Sequence, residues 1–241
     1  MARFPSSWMR AAGRLLILVA LCTLSLELTF VARVALMAGV DPQSSAFQRS
    51  EAWRLLQAGR FAWRQQWVDD GAISNHLRRA VIAAEDAGFT EHSGVEWEAV
   101  ERAWSKNARL AQRPSKRPPK LVGGSTITQQ LAKNLLLSGE RTLMRKGQEL
   151  LITWSLELLL DKRRILEIYL NQVEWGEGVF GAQAAARHYF RTDAAQLDAG
   201  AAARLAVLLP APKRYGRQPY SAYVSARAGT VLARMPAVDL P

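Results

Sequence analysis

The longest apolar run of the chain lies near its N-terminus and extends from Leu15 to Val31. A helix of about this length is sufficient to cross the hydrocarbon core of a bilayer. The residues before it include Arg3, Arg10 and Arg14 and no acid, which is typical of a segment that stays in the cytoplasm. The pattern therefore predicts an N-terminus inside, one membrane-spanning helix and an exported remainder.

On this basis we expect residues 1–40 to form a cytoplasmic N-terminus and a transmembrane anchor, and residues 41–241 to form an extracytoplasmic domain. Glu27 lies inside the apolar run and costs about 3 kcal/mol near a bilayer centre. A cleaved signal peptide is the competing interpretation. The length of the run and the absence of a small-x-small cleavage pattern after it favour the anchor.

After the anchor, apolar residues recur at helical spacing, and no useful stretch of alternating apolar and polar residues predicts a sheet. The pattern therefore predicts an all-α fold. The segment Leu150 to Leu160 is apolar nearly all round, which predicts a helix buried in the centre of the domain. The predicted helices cover residues 46–68, 75–84, 95–110, 126–137, 141–160, 162–171, 181–189 and 198–209.

Composition limits the architecture and the partners. A chain of 241 residues buries one substantial core, and its formal net charge of +11 favours anionic partners such as phosphate groups, acidic lipids or nucleic acid. Cys22 is the single cysteine, so no disulfide forms within one chain. Residues 105–120 combine prolines with basic residues and no acid, which predicts an exposed, mobile basic loop. In the predicted helix over 46–68, aromatic residues are interspersed with arginines between positions 53 and 67. This pattern is typical of a segment in the lipid headgroup layer, and equally of aromatic side chains that pack into the core beside solvated arginines.

The first candidate for chemistry is Glu85, which follows the apolar run Ala80–Ala84 and precedes Asp86, Phe89 and His92. A carboxyl behind an apolar segment is partly desolvated, which raises its pKa toward the range of a general base. We therefore expect Glu85 to accept a proton from a hydroxyl group. His92 is more simply a structural hydrogen-bonding residue than a catalytic one.

A second block begins with Gly123-Gly124 and ends at Asn134. A Ser/Thr-rich helix start presents N–H groups to an anion, and Lys133 lies two turns after Thr126 on the same helical side. The block therefore suits a phosphate, although an ordinary capped helix explains it as well. Its polar members are Ser125, Thr126, Gln129, Gln130, Lys133 and Asn134.

A third block contains Arg141, Arg145, Lys146 and Glu149. An ion pair between Arg145 and Glu149, four residues apart on a helix, explains it structurally. The alternative is a catalytic-site role for Glu149 beside cations that hold an anionic leaving group. A fourth block, residues 162–181, has an amphipathic stripe and looks structural, with Glu167 and Asn171 bonded to loop backbone.

Together these blocks resemble the peptidoglycan glycosyltransferase domain of glycosyltransferase family 51, in its monofunctional, membrane-anchored form. The resemblance covers roughly residues 75 to 215 and rests on ordered patterns, with a fifth block at residues 205–215. The patterns are Glu-Asp-x-x-Phe-x-x-His-x-Gly, Gly-Gly-Ser-Thr-Ile-Thr-Gln-Gln-x-x-Lys-Asn, Arg-Lys-x-x-Glu and Ile-Leu-Glu-x-Tyr-Leu-Asn.

The resemblance implies a lysozyme-like fold and polymerisation of lipid II at the periplasmic face of the inner membrane. It makes Glu85 the base for the acceptor 4-hydroxyl, which attacks C1 of the growing glycan with inversion and expels undecaprenyl pyrophosphate. Lys133 and Arg141 would contact the pyrophosphate, and Glu149 would be the second catalytic residue. Further substrate contacts would come from Asp86, Phe89, His92, Ser125, Thr126, Gln129, Gln130, Asn134, Arg145 and Lys146.

The resemblance implies no tightly bound cofactor and leaves room for a divalent cation, Mg²⁺ or Mn²⁺, at Glu149. The implied partners are lipid II, the growing lipid-linked glycan, the cytoplasmic membrane and proteins of cell division or elongation, with no nucleic acid. Two alternatives stay open at this point. One is a lysozyme-like enzyme that cleaves glycan, and the other is a basic scaffold without catalytic activity.

Overall fold

The computed structural model describes residues 6–112, 123–137, 139–140 and 142–241, and in these ranges helix dominates. The first helices are α1 (Ser6–Leu36), α2 (Ala46–Gln57), α3 (Asn75–Glu85), α4 (Trp97–Ala111) and α5 (Ile127–Leu136). The next are α6 (Leu143–Leu159), α7 (Lys162–Gln172), α8 (Ala182–Phe190), α9 (Ala199–Leu208), α10 (Pro212–Tyr215) and α11 (Ala222–Arg234). Short 3₁₀ turns cover Asp70–Ala72, Ala194–Gln196 and Met235–Ala237. The all-α prediction is confirmed.

A small sheet, which the sequence pattern did not predict, accompanies the helices. It consists of β1 (Arg64–Gln65), β2 (Glu174–Gly176) and β3 (Val179–Phe180) in the order β1-β3-β2. Strand β3 runs parallel to β1 and antiparallel to β2. These strands have two or three residues each, too few for an alternating pattern to be visible in the sequence.

Helix α1 is the one helix in the described ranges long and apolar enough to cross a membrane. Most of its side chains are exposed, but Val34 at its end and Met37 just after it are buried in the core of the domain. The guanidinium of Arg164 on α7 donates to the Met37 carbonyl at 2.8 Å and pairs with Asp41 at 2.7 Å. The apolar helix is therefore joined to the domain through packed contacts.

The predicted helix over 46–68 is wrong beyond residue 57. Gly59 has a φ of 61°, and its N–H donates to the Leu56 carbonyl while the Arg60 N–H donates to that of Leu55. This pair of bonds is the glycine-terminated Schellman arrangement, which satisfies the last helical carbonyls and ends α2. The signal was present in the sequence as Gly59, a residue that adopts the left-handed conformation without strain.

The prediction that the helix over 150–160 lies buried in the centre is also wrong. Helix α6 buries Ile152 and Leu156, but it leaves Leu151, Trp154 and Leu158 exposed. The central helix is α7, whose residues 165–172 are all buried. Helix α6 packs against α1, so the apolar outer face of α6 lies beside the long apolar N-terminal helix.

The expected loop over 105–120 is in part a helix. Residues 105–111 continue α4, whose exposed apolar side chains Trp97, Val100 and Trp104 form one stripe along the helix. Residues 113–120 lie outside the described residues. The basic composition correctly predicted that most of residues 105–110 are exposed. These residues are nevertheless helical, because they continue the helix that carries Trp97, Val100 and Trp104.

Two loop contacts predicted in the fourth block are confirmed. Glu167 accepts the Asp70 backbone N–H at 2.8 Å. Asn171 accepts the Val68 N–H and donates to the Val68 carbonyl, both at 3.0 Å. These bonds hold the segment before α3 against α7, and α3 itself packs on α9 and α11. Helix α3 is therefore fixed on several sides before it reaches Glu85.

Candidate active site

Glu85 is the last residue of α3, and the helix brings it to the surface from the core. Ser74 caps the helix start, and Leu77, Val81 and Ile82 are buried beneath it. Burial raises the pKa of the Glu85 carboxyl, and the neighbouring charge of Asp86 adds to this, while the Gln130 hydrogen bond and Lys133 oppose it. The prediction of a desolvated carboxyl at this position is confirmed.

Gln130 on α5 holds the Glu85 carboxylate in place. Its Nε2 donates to Oε2 of Glu85 at 2.8 Å, and its Oε1 accepts the hydroxyl hydrogen of Tyr169 at 3.0 Å. Tyr169 on α7 is fully buried, and burial together with the charges of Glu85 and Asp86 raises its pKa well above its usual value. The phenol therefore stays protonated and orients the amide so that its N–H groups face the base.

Tyr169 was missed as a site residue in the sequence. It lies in the apolar stripe of the fourth block, where it reads as a core aromatic side chain. The signal that could have found it is its hydroxyl group, because a buried phenol normally has a hydrogen-bond partner.

Asp86 connects the end of α3 to the start of α5. Its Oδ2 accepts the backbone N–H of Ile127 at 2.9 Å, and its Oδ1 accepts from Nε2 of His92 at 2.8 Å. Nδ1 of His92 accepts the Gly94 N–H at 3.1 Å, which assigns the ring proton to Nε2. Asp86 is buried, so it positions the helices and does not face a ligand. His92 is the structural hydrogen-bonding residue that its spacing indicated.

Phe89 is fully buried, and the Lys162 ammonium lies 4.6 Å from its ring centroid. Lys162 also donates to the His92 carbonyl at 2.7 Å and to Glu157 at 2.8 Å. The structure therefore places Phe89 under the site, where it supports the His92 loop and is not accessible to a substrate.

The start of α5 is a closed cap. Thr126 accepts the Gln129 N–H at 3.2 Å, and Oε1 of Gln129 accepts the Thr126 N–H at 3.1 Å. Asp86 takes the Ile127 N–H, and both Thr126 and Gln129 are buried. Of the two interpretations of this block, the ordinary capped helix is therefore confirmed, because side chains already accept the N–H groups of Ile127 and Gln129. Ser125, just before the cap, is exposed.

The cations of the third block are anchored by Glu149. Nη1 of Arg145 lies 2.9 Å from Oε2 of Glu149, and the Lys146 ammonium pairs with Oε1. Glu149 is buried, whereas Lys146 is half exposed. Among the described residues Nε of Arg145 has no hydrogen-bond partner. Glu149 thus acts through the two cations that it orients, and Arg141 lies outside the described residues.

A groove with a volume of about 690 Å³ joins these elements. We call it the α2–α5 groove. Along α5 and α6 it is lined by Gln130, Lys133, Asn134 and Arg145, and on the opposite side by Glu51 of α2 and Glu174 of β2. The structure therefore brings Gln130, which holds Glu85, to one concave surface with Lys133 and Arg145. The acidic pair at the other end was not recognised in the sequence.

The donor set around Glu149 does not fit a divalent metal ion. Both of its carboxylate oxygens already pair with cationic side chains, so a metal would displace at least one of them and lie beside two positive charges. In the described part of the chain no group of three His, Cys, Asp or Glu side chains is placed to hold a metal. We derive no step through a metal ion.

The arrangement can remove a proton from a bound hydroxyl next to the groove and stabilise an anion within it. Glu85 is a desolvated carboxylate with a fixed orientation, and Lys133 lies close enough to lower its pKa. Arg145 lines the same groove as Lys133. A desolvated base close to cations is the combination that a displacement reaction with an anionic leaving group requires.

Comparison with known proteins agrees with this chemistry. The family model described as Transglycosylase matches residues 54–236. A "Biosynthetic peptidoglycan transglycosylase" of Bordetella pertussis is 48% identical over 236 residues, covering 98% of this chain and 96% of the relative. Proteins with the same name from Burkholderia thailandensis and Ralstonia nicotianae are each 52% identical, over 90% and 97% of this chain and 83% and 99% of their own length. The chain therefore belongs to the transglycosylase family and is a glycosyltransferase.

Proposed function

We propose that this enzyme polymerises lipid II into linear peptidoglycan strands for cell-wall synthesis. Glu85 takes the proton of the acceptor sugar's 4-hydroxyl, and that oxygen forms a bond to C1 of the growing glycan. The bond from C1 to the undecaprenyl pyrophosphate breaks with inversion. The single observation that carries the proposal is the desolvated carboxylate of Glu85, which is held by Gln130, a residue that lines one groove together with Lys133 and Arg145.

The roles of general base and of leaving-group cation fall on different residues. Glu149 pairs with Arg145 and Lys146, so it is already neutralised and is a poor nucleophile. Glu85 as the single base, with Glu149 engaged by its two cations, suits a direct displacement with inversion. The cations stabilise the developing diphosphate, and a fixed donor of this kind contributes about 3 kcal/mol to the transition state.

The N-terminal helix supports a retained membrane anchor. Cleavage after the apolar run would remove Val34 and Met37, or leave them at a new terminus, although both are buried in the domain. We therefore infer a single-pass protein of the inner membrane with its N-terminus in the cytoplasm and its catalytic domain in the periplasm. The arginines before the helix support this orientation.

The exposed apolar side chains also suggest how the domain meets the membrane. Met144, Leu151, Trp154 and Leu158 form one stripe on α6, the helix that packs against α1. Exposed apolar stripes of this kind mark interaction with a membrane or a partner. Because the stripe adjoins the anchor, we infer that it lies in the headgroup layer, where lipid-linked substrates are found. This surface replaces residues 53–67 as the best candidate for membrane contact.

The test compares full-length wild type with Glu85→Gln in detergent, with fluorescent lipid II as substrate and preformed glycan strands as the alternative. We expect wild type to lengthen glycan and release undecaprenyl pyrophosphate. Glu85→Gln should fold normally and lose at least about a thousandfold in rate, because it removes the base. Asp239→Asn, an exposed acid near the C-terminus, is the matched control and should be unaffected.

Strand cleavage by wild type without growth would instead establish a lysozyme-like hydrolase. Unchanged turnover in Glu85→Gln would exclude the assignment of Glu85 as the base. Of these outcomes, only the combination of polymer growth in wild type and its loss in Glu85→Gln supports the proposal in full.

A further inference from the structure

The α2–α5 groove contains a second carboxyl that the proposed chemistry does not use. Glu174 begins β2 and lies between Val173 and Trp175, both buried. Its residue surface is 4% exposed, yet it lines the groove together with Gln130 and Lys133. The fold therefore places a nearly buried acid on the wall of the groove.

The hydrogen bonding of this carboxyl is incomplete. Among the described residues, Oε1 of Glu174 is buried and has no hydrogen-bond partner. Its Oε2 is 4.0 Å from the ammonium of Lys213, which lies closer, at 2.6 Å, to Glu51. Lys213 is thus chiefly the partner of Glu51. An unpaired buried polar atom destabilises the folded protein, so its presence is better explained by a ligand than by a structural role.

Glu174 is also adaptable in its hydrogen bonding near neutral pH. Burial raises its pKa to about 7, and the charge of Glu51 adds to this, while Lys213, a hydrogen bond from the Gly178 backbone and Arg54 oppose it. At that value the group is protonated in part of the molecules. A carboxyl in this state accepts hydrogen bonds and donates one, whereas a fully ionised carboxylate only accepts.

The two ends of the groove differ in charge. Lys133 and Arg145 suit a diphosphate, whereas at the other end Glu51 is already neutralised by Lys213 and Arg54, which leaves Glu174 as an acid whose nearest cation, Lys213, is 4.0 Å away. That end would repel a phosphate and suits neutral hydroxyl and amide groups. In the proposed reaction the groups of this kind are those of sugars beyond the reacting carbon.

We propose that Glu174 is a substrate-binding residue that hydrogen-bonds a hydroxyl or acetamido N–H of a glycan sugar distant from the reacting carbon. This inference rests on the proposed function, because it assumes that the groove holds a lipid-linked glycan. A contact distant from the reacting carbon contributes to binding of the growing strand more than to the chemical step. It therefore acts on the KM for glycan and on product length.

The experiment uses full-length Glu174→Leu and Glu174→Gln in detergent. Leucine removes all hydrogen bonding and fills similar space, whereas glutamine keeps a donor and an acceptor. We expect Glu174→Leu to raise the KM for the lipid-linked glycan about tenfold, with kcat changed less than threefold and shorter products. Glu174→Gln should stay within about threefold of wild type. The matched control, Glu177→Gln, alters an exposed acid three residues away that pairs with Arg54 and Arg217.

A melting temperature for Glu174→Leu equal to or above that of wild type would support a ligand-binding role, because the substitution removes an unpaired buried carboxyl. A lower melting temperature with unchanged KM and product length would overturn the proposal and make Glu174 a structural residue. Equal kinetic effects of Glu174→Leu and Glu177→Gln would also overturn it.

A direct binding measurement separates this inference from the proposed polymerase activity. The probe is a lipid-free tetrasaccharide of alternating N-acetylglucosamine and N-acetylmuramic acid. Wild type and Glu85→Gln should bind it equally, and Glu174→Leu about tenfold more weakly, even if lipid II proves not to be the substrate. Equal affinity of wild type and Glu174→Leu, or no binding by either, would overturn the role of Glu174.

Discussion

The hydroxyl of Tyr169 donates to Oε1 of Gln130 at 3.0 Å, and this bond directs the other end of the amide toward Glu85. The two residues are 39 positions apart in the chain. Because an amide without a fixed acceptor bond can rotate, the buried phenol controls whether Glu85 receives an N–H or faces an oxygen. Tyr169 therefore positions Gln130 against Glu85, the carboxylate that we propose as the general base.

Tyr169→Phe should move the pH dependence of the reaction. The Gln130 hydrogen bond lowers the pKa of Glu85, so its loss leaves the pKa raised further by burial. Since the base acts when ionised, the acid limb of the kcat/KM profile should shift to higher pH. We expect kcat/KM to fall about tenfold at pH values below the acid limb and to fall less at pH values above it.

The matched control is Tyr189→Phe. Tyr189 is partly buried, and its hydroxyl group donates a hydrogen bond to the Trp175 carbonyl at 3.0 Å and not to Gln130. Its substitution removes a similar hydrogen bond from the fold. An unchanged limb in Tyr169→Phe, or the same shift in both variants, would contradict the positioning role.

Asp86 should be important for stability. Asp86→Ala removes the acceptor of the Ile127 N–H and of the His92 ring, and it leaves these donors buried. Hydrogen bonds to a charged group contribute roughly 2 kcal/mol each, so thermal unfolding of the full-length protein in detergent should occur several degrees lower. Asp86→Asn keeps an acceptor oxygen and should lose less. Equal melting temperatures for wild type and Asp86→Ala would exclude this linking role.

These contacts show what the sequence can and cannot predict. The start of α5 was predicted within one residue, because Thr126 is a strong N-cap and Gln129 completes the capping box. The exposed face of α6 was misjudged, because its apolar side chains have the same pattern in the sequence as those of a core helix. The pairs Tyr169–Gln130 and Asp86–Ile127 could not be predicted, since they depend on how distant helices pack and no spacing rule encodes that.

Glu174 should make stability depend on pH. Its pKa is raised in the folded protein from 4.5 to about 7, so the folded state favours the protonated form. Its contribution to stability is fully present below pH 4.5 and is lost as the pH rises through about 7. The loss amounts to roughly 3 kcal/mol.

Glu174→Gln does not titrate, so its melting temperature relative to wild type should rise between pH 5 and pH 7 and then stay level. Glu177→Gln is the control. The pKa of Glu177 is lowered by its bonds to Arg54 and Arg217, so the melting temperature of this variant relative to wild type should change with pH in the opposite direction. A temperature difference between Glu174→Gln and wild type that is constant with pH would show that Glu174 ionises normally.

The α6 stripe makes a prediction about activity at the membrane. Trp154 and Leu158 are 47% and 84% exposed, so the double substitution to serine should leave folding intact. If the stripe lies among headgroups, the variant should lose about tenfold in activity on lipid II embedded in liposomes and little on detergent-solubilised lipid II. The reason is that burying each large apolar side chain contributes about 2 kcal/mol to membrane binding. The full chain is required, because Val34 and Met37 belong to the core.

The matched control is Trp53→Ser on α2, where the tryptophan is 63% exposed. It distinguishes the two apolar surfaces, since segment 53–67 was the region that the sequence indicated for the headgroup layer. A selective loss in liposomes for the α6 variant, with Trp53→Ser unchanged, places the membrane at α6 and α1. The reverse pattern would place it at α2, and equal losses in liposomes and detergent would show that the α6 stripe acts in folding or catalysis and not in membrane contact.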